Sequence, residues 1–420
     1  MKYLLQKERT HLFAPSIEVA MMIELKGKIK EDIICDAIQK AVDNNEVFDC
    51  RITMDGTGQA FYETGYSTSV VLHKFEGEWE KVVTKEEKHI FDLQHGEMIR
   101  FFLKEELNTT QLLIVAHHLL GDGLAMTYFI QDILDALNGV PLLYKELKVY
   151  DMKLLPQDSK LNPVMGWMLK NVNHKWNKSG RVFTFSDTET MFNKYWSIHN
   201  TCIITEKVKE DILIQLEQDS KRNHISVNSI LVTAFARAAG EAIKLGIPVS
   251  LRESNNHTMA NYATAISIKY QYNEKQDFWE NARKVHSIIN KKLSNNKSKF
   301  FLTQFMNQLS PTLIDSAYFS AFDGYENKIA ARIRDMFGYV ANPKTYNMSN
   351  LTRISIKEKD AKYQIADIAF VPPIVPNASG MIGVITYQSQ MVIALHVLDN
   401  EMRQQKEELF KRAITVIEEL

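Results

Sequence analysis

Leu112-Leu113-Ile114-Val115-Ala116-His117-His118-Leu119-Leu120-Gly121-Asp122-Gly123 is the stretch on which the reading of the whole chain turns. Its consecutive apolar residues read as a buried strand. Directly after Gly121-Asp122-Gly123 the period changes, and Met126, Phe129, Ile130, Ile133, Leu134 and Leu137 recur at the spacing of one helical face. Both histidines therefore stand where a buried strand opens, through a turn, into an amphipathic helix. Gly121 and Gly123 permit close backbone geometry there and keep side chains out of the space beside the imidazoles.

Working outward, residues 17–25 read as a strand closed by Lys26-Gly27. A helix follows, with Ile33, Ile34, Ala37, Ile38, Ala41 and Val42 on one face and an end at Asn44-Asn45. Phe91-Asp92-Leu93 and the run 99–103 lead as strands into the motif. Between about Tyr150 and Trp196 periodicity fades among Pro156, Pro163, Gly166 and Gly180. The second half restarts with a strand over 198–204 and a helix over 208–216. A second helix carries Val227, Ile230, Leu231, Ala234, Phe235 and Ala238, with Ser226 as N-cap. Strands are predicted near 263–270, 354–356 and 381–397, and a final helix carries Leu409, Ala413, Val416 and Ile417. The expectation is an α/β (α+β mixed-sheet) molecule of two lobes around a cleft, with residues 1–165 the first lobe, 166–195 a crossover and 196–420 the second lobe.

Charge and composition narrow the function. The 420 residues carry 50 basic against 51 acidic side chains, so no global field draws the chain to nucleic acid or to an anionic membrane. Only Cys35, Cys50 and Cys202 occur, too few and too scattered for a disulfide framework, which fits a reducing compartment. The start of the sequence turns polar after Leu5, and no window approaches the roughly 20 apolar residues of a spanning helix. A cytoplasmic protein with no membrane span and no nucleic-acid partner is expected.

Imidazole has its unperturbed pKa where a general base is needed, and His118 is the histidine placed for that task. A lone histidine in an apolar strand is usually a satisfied core residue. What distinguishes this one is the spacing His-His-x-x-x-Asp-Gly between a strand and a helix. Asp122 has two readings: it holds His118 directly, as a triad carboxylate does, or it pairs with an arginine and braces the loop. Joint metal ligation by His117, His118 and Asp122 is a rival, weakened because adjacent strand residues point to opposite faces, so no metal is expected.

The motif is similar to that of the superfamily containing chloramphenicol acetyltransferase, the condensation domains of nonribosomal peptide synthetases, plant BAHD acyltransferases and polyketide-associated acyltransferases. The resemblance extends along the chain. It takes in Arg51 after the first helix, Ile99-Arg100 before the motif, and the helix Ile225-Ser226-Val227-Asn228-Ser229-Ile230-Leu231. Val249-Ser250-Leu251-Arg252 with Asn261-Tyr262-Ala263, and Met348-Ser349-Asn350-Leu351, complete it. Thr352 stands where the family often has glycine.

The resemblance implies a V-shaped pair of lobes, with His118 reached by a tunnel that donor and acceptor enter from opposite sides. It makes His118 the general base and Asp122 a structural partner of Arg252, with His117 and Gly123 supporting. Ser349 and Asn350 become candidate contacts to an oxyanion or substrate. The implied enzyme is an acyltransferase with no permanently bound cofactor. Its co-substrate is acyl-coenzyme A or an acyl-pantetheine on a carrier protein, and its acceptor a small molecule with a hydroxyl or amine. Two alternatives share the scaffold: an amide synthase of condensation type acting on carrier-bound aminoacyl groups, and an inactive binding module.

Overall fold

Thr109–His117 forms the motif strand, and every residue from Leu112 to His117 is buried, because both faces of its sheet are covered. The computed structural model describes residues 1–339, 344–358, 361–376 and 378–420. In the five-stranded sheet around the motif the order is Ile365–Val371, Glu18–Lys26, Thr109–His117, Ile99–Glu105, Leu72–Lys74. Glu18–Lys26 pairs antiparallel with the motif strand, Glu18 opposite His117 and Lys26 opposite Thr109. Gly123–Leu137 is the motif helix, and it lays Ile130, Ile133, Leu134 and Leu137 against Ile23, Leu25 and Leu112 of the sheet. Each such aliphatic side chain removed from water contributes roughly 1.5–3 kcal/mol, which fixes the angle at which the helix leaves the turn. Glu31–Asp43 buries Ile34, Ala37, Ile38, Ala41 and Val42 and stops at Asn44.

A six-stranded sheet organises the second half, in the order Ala263–Tyr270, Ile243–Ser250, Tyr346–Ile354, Met381–Tyr387, Gln390–Leu398, Thr201–Val208. Its core is shared with the helices Glu210–Arg222, Val227–Ala239, Phe278–Leu293 and Arg403–Glu418. Here the sequence expectations are displaced rather than absent. The strand expected at 354–356 lies earlier, over Tyr346–Ile354, and the run 381–397 is a hairpin turned at Gln388, whose φ is +47°.

Lobe boundaries do not follow the halves of the sequence. Ile365–Val371 leaves the second half and joins the first sheet as an antiparallel neighbour of Glu18–Lys26, Ile368 facing Ile23 and Val371 facing Ala20. Nothing in seven apolar-rich residues states which of two sheets they will extend. Nor is the expected crossover irregular. Pro163–Ser179 and Phe185–Ile198 are helices, started by Asn162 and by a Thr184–Asp187 capping box. They dock on Pro311–Ala321 through scattered aromatic anchors and not through a continuous stripe. Trp176 Nε1 donates to Thr312 Oγ1 at 2.9 Å, and the rings of Phe183 and Phe319 stack at 4.1 Å.

A short 3₁₀ turn, Lys7–His11, threads charged residues into this framework. Arg9 is buried against Asp315 of the helix Pro311–Ala321, with Nε 2.7 Å from Oδ1 and Nη2 paired to Oδ2. Their side chains are 1% and 0% exposed, so removing one partner strands a charge out of reach of water. Asp315→Ala is therefore expected to lower unfolding free energy by about 3–5 kcal/mol, read from urea denaturation, against under 1 kcal/mol if the pair were solvated.

Candidate active site

The sheet ends in two rungs that turn the histidines apart. His117 N–H donates to Met98 O at 2.8 Å and His118 N–H to Ile17 O at 3.2 Å, after which Leu120 N–H returns to His117 O at 2.9 Å. Successive strand residues face opposite sides. His117 meets the edge of Phe91 at 5.8 Å, and its Nδ1 accepts the Leu119 N–H at 3.2 Å. Burial, reinforced by His118 and Arg100, pushes the His117 imidazole down to about 3, so it is neutral and braces the turn from behind. His118 faces a cavity of about 240 Å³.

That cavity draws on both halves of the chain, with Lys7, His118 and Gly123 from the first and Asn261, Ser349 and Phe370 from the second among its lining. It needs a glycine at 123, where a Cβ would stand 2.7 Å from Leu351 Cδ2 and 3.1 Å from the Phe370 ring. Asp122 is the N-cap of the motif helix, Oδ1 accepting the Ala125 N–H at 2.9 Å. Its Oδ2 accepts the Tyr262 N–H at 2.8 Å, and Arg252 Nη2 stands 3.3 Å from each carboxylate oxygen. Arg252 in turn donates to Ala260 O at 2.6 Å and Thr258 O at 2.7 Å, under a Tyr262 ring centred 4.7 Å away. His118 is not among the hydrogen-bond partners of the carboxylate, so Asp122 ties the motif loop to residues 252–262 instead of gripping the imidazole.

His118 is held otherwise. The His11 ring lies parallel to it, centroids 4.3 Å apart and planes 3° apart. Asn261 stands beside both imidazoles, and its amide orientation is fixed by its other contacts. Its Oδ1 accepts from Lys7 Nζ at 3.1 Å and from Ala263 N–H at 2.9 Å, so Nδ2 is the atom 2.9 Å from His11 Nε2. At 3.5 Å from His118 Nδ1 the same amide is in contact but too far to fix a tautomer. Burial lowers the His118 pKa, and Lys7 acts in the same direction. Hydrogen bonds to the carbonyls of His118 and Gly121 and the charge of Asp122 offset part of this. His11 is pushed well below the ordinary imidazole range, by burial first and His118 second.

The Ser349-Asn350 pair is divided by strand alternation. Ser349 lines the cavity. Asn350 turns away, its Nδ2 donating to Asn228 Oδ1 at 3.2 Å and its Oδ1 accepting the Thr352 N–H at 2.7 Å. Thr352 has φ +61° at a break in register between Asn350 and Arg353, a left-handed position that suits glycine. Arg51 and Arg100 are outside the lining, engaged with Glu63 at 2.9 Å and Glu97 at 2.8 Å. Lys7 and His11 join the site from a polar opening run to which sequence reasoning gave no part, and Asn261, quoted only within the resembling Asn261-Tyr262-Ala263 stretch, joins it without an assigned role. Among the described residues no group of three or more His, Cys, Asp or Glu side chains converges as a metal site. No helix is long and apolar enough to cross a membrane.

Two substitutions check this geometry by urea unfolding. Arg252→Met, which strands Asp122, is expected to cost about 3–5 kcal/mol. Thr352→Gly is expected to stabilise by up to about 1 kcal/mol, because relief of the left-handed backbone outweighs the added freedom of the unfolded chain. Destabilisation by the second change would contradict the assigned conformation.

Comparison with known proteins places the fold. No family model matches the sequence. Over 180 residues, 40% of the chain, it is 24% identical to the hybrid PKS-NRPS synthetase gkaA of Penicillium citrinum, and the match spans 4% of that protein's length. Polyketide synthase associated protein 5 from Mycobacterium tuberculosis superposes with a TM-score of 0.61 over 99% of this chain and 97% of that one, at 14% identity. The first condensation domain of the calcium-dependent antibiotic synthetase, in complex with a substrate analogue, gives 0.65 over 99% and 93%, at 11% identity. The fold is thus similar to that of condensation domains and of a polyketide-synthase-associated protein.

Proposed function

We propose that the chain is an acyltransferase, moving an acyl group from a coenzyme A or carrier-protein pantetheine thioester to a hydroxyl or amine, with His118 as general base. The observation that carries this reading is the His118 imidazole on the cavity wall, stacked on the His11 ring and kept unprotonated by burial. The acceptor gives its proton to the His118 imidazole as its oxygen or nitrogen attacks the thioester carbonyl. The tetrahedral oxyanion then collapses, the carbon–sulfur bond breaks, and the thiolate takes the proton back from the imidazolium to leave as a thiol. Ser349 Oγ is the candidate donor to the oxyanion, and Asp122 with Arg252 keeps the loop in register. Donor and acceptor would approach from opposite sides of a V-shaped cleft, through a tunnel meeting at His118.

A second reading, amide formation between carrier-bound groups, draws support from the likeness to condensation domains and to a hybrid synthetase. Thiol release measured with acyl-coenzyme A and with acylated carrier protein separates the two donors. With either donor, His118→Ala is expected to remain folded and to lose about 100-fold or more in turnover. Unchanged turnover would refute the assignment. Because burial lowers the His118 pKa, the base form persists below the usual imidazole range. Rate is therefore expected to hold as pH falls through 6.5, the ordinary value, and to drop only at lower pH.

A further inference from the structure

The wall that the second half contributes to the cavity carries a cation to which the chemistry above gives no task. Lys344 has its backbone fixed: Ser379 N–H donates to its carbonyl at 3.1 Å, and the next residue's N–H donates to Lys244 O at 2.8 Å. Three residues on, Asn347 stands opposite Gly246 in the parallel pairing of their strands. The side chains of Lys344 and Asn347 both cross the bare face of that glycine. A Cβ on Gly246 would lie 1.9 Å from Asn347 Oδ1 and 2.9 Å from Lys344 Cδ, so the missing side chain is what opens the recess. The same cavity is lined also by Pro248, Pro372, Val375 and Met381, among polar residues such as Thr264 and Ser349.

Among the described residues no carboxylate pairs with Lys344, and burial alone accounts for the lowering of its pKa. Asp122, the carboxylate on the cavity lining, is already engaged by Arg252. A half-buried ammonium with no counter-charge among the described residues costs free energy that a bound anion recovers.

The geometry points to an anion subsite at Lys344, which takes a carboxylate or phosphate on a substrate whose apolar body extends across the cavity towards His118. This rests on the acyltransferase reading only for the identity of that substrate. The anion has two sources, the phosphate of a pantetheine arm or a carboxylate on the acyl group or acceptor.

Calorimetric titration of the full chain with two matched pairs of probes distinguishes them. One pair is S-acetyl-pantetheine with its 4′-phosphate, and the other is 4-phenylbutanol with 4-phenylbutyrate. In at least one pair the anion is expected to bind about 10-fold or more tightly than its neutral partner. Lys344→Met should reduce that preference to about 2-fold or less while the neutral partner binds as before, and Lys344→Arg should keep it. A response confined to the phosphate pair assigns the pantetheine arm, and one confined to the phenyl pair assigns a carboxylated acyl group or acceptor. No anion preference in either pair, no binding by either anion, or a preference surviving Lys344→Met overturns the subsite. His118→Ala is expected to keep the preference, so the subsite and the catalytic base fail or stand separately.

Discussion

One carboxylate holds the site in register. Asp122 closes the N-terminus of the motif helix, accepts a backbone N–H from Tyr262 far along the chain, and meets the guanidinium of Arg252. Each contact alone is worth about 1–3 kcal/mol, but together they tie a turn of the first half to a loop of the second at the mouth of the strand. Arg252 and Asp122 are 2% and 7% exposed, so neither finds water if the other is lost. The arrangement of the cavity walls depends on that tie.

Its consequence for chemistry is freedom, not contact. With Asp122 occupied elsewhere, the imidazole of His118 is flanked by the parallel ring of His11 and by the Asn261 amide alongside. Such packing restricts rotation without drawing the ring into an ion pair, and burial with a nearby lysine keeps it unprotonated. A neutral imidazole of fixed plane is what a general base for acyl transfer requires. The surrounding wall is largely apolar, which strengthens every remaining polar contact inside it.

The sequence made the strand, turn and helix legible because burial on both sides of a sheet demands a continuous apolar run, and a helix on that sheet demands a stripe. It also named Asp122 and Arg252, though the spacing alone left a triad open, and only the positions of Tyr262 and Ala125 decide between a brace and a triad. Three things were not legible. The strand Ile365–Val371 carries no mark of the sheet it joins. The helices over the expected crossover bury isolated aromatic residues such as Trp176 and Phe192, which give little periodic signal. The polar run Lys7–His11 looks like a solvated end, yet Glu8 and Arg9 are buried and His11 stacks on the candidate base. Charged residues enter a core when partners distant in sequence meet them, and distance in sequence is what a local pattern cannot encode.

The protonation state of His118 tests the account most directly. Nitrogen-15 shifts of the imidazole rings, with His118 assigned by difference against His118→Gln, report which nitrogen bears hydrogen at neutral pH. The account predicts a neutral ring at pH 7 with one nitrogen free of hydrogen. A ring charged at pH 7 would contradict it.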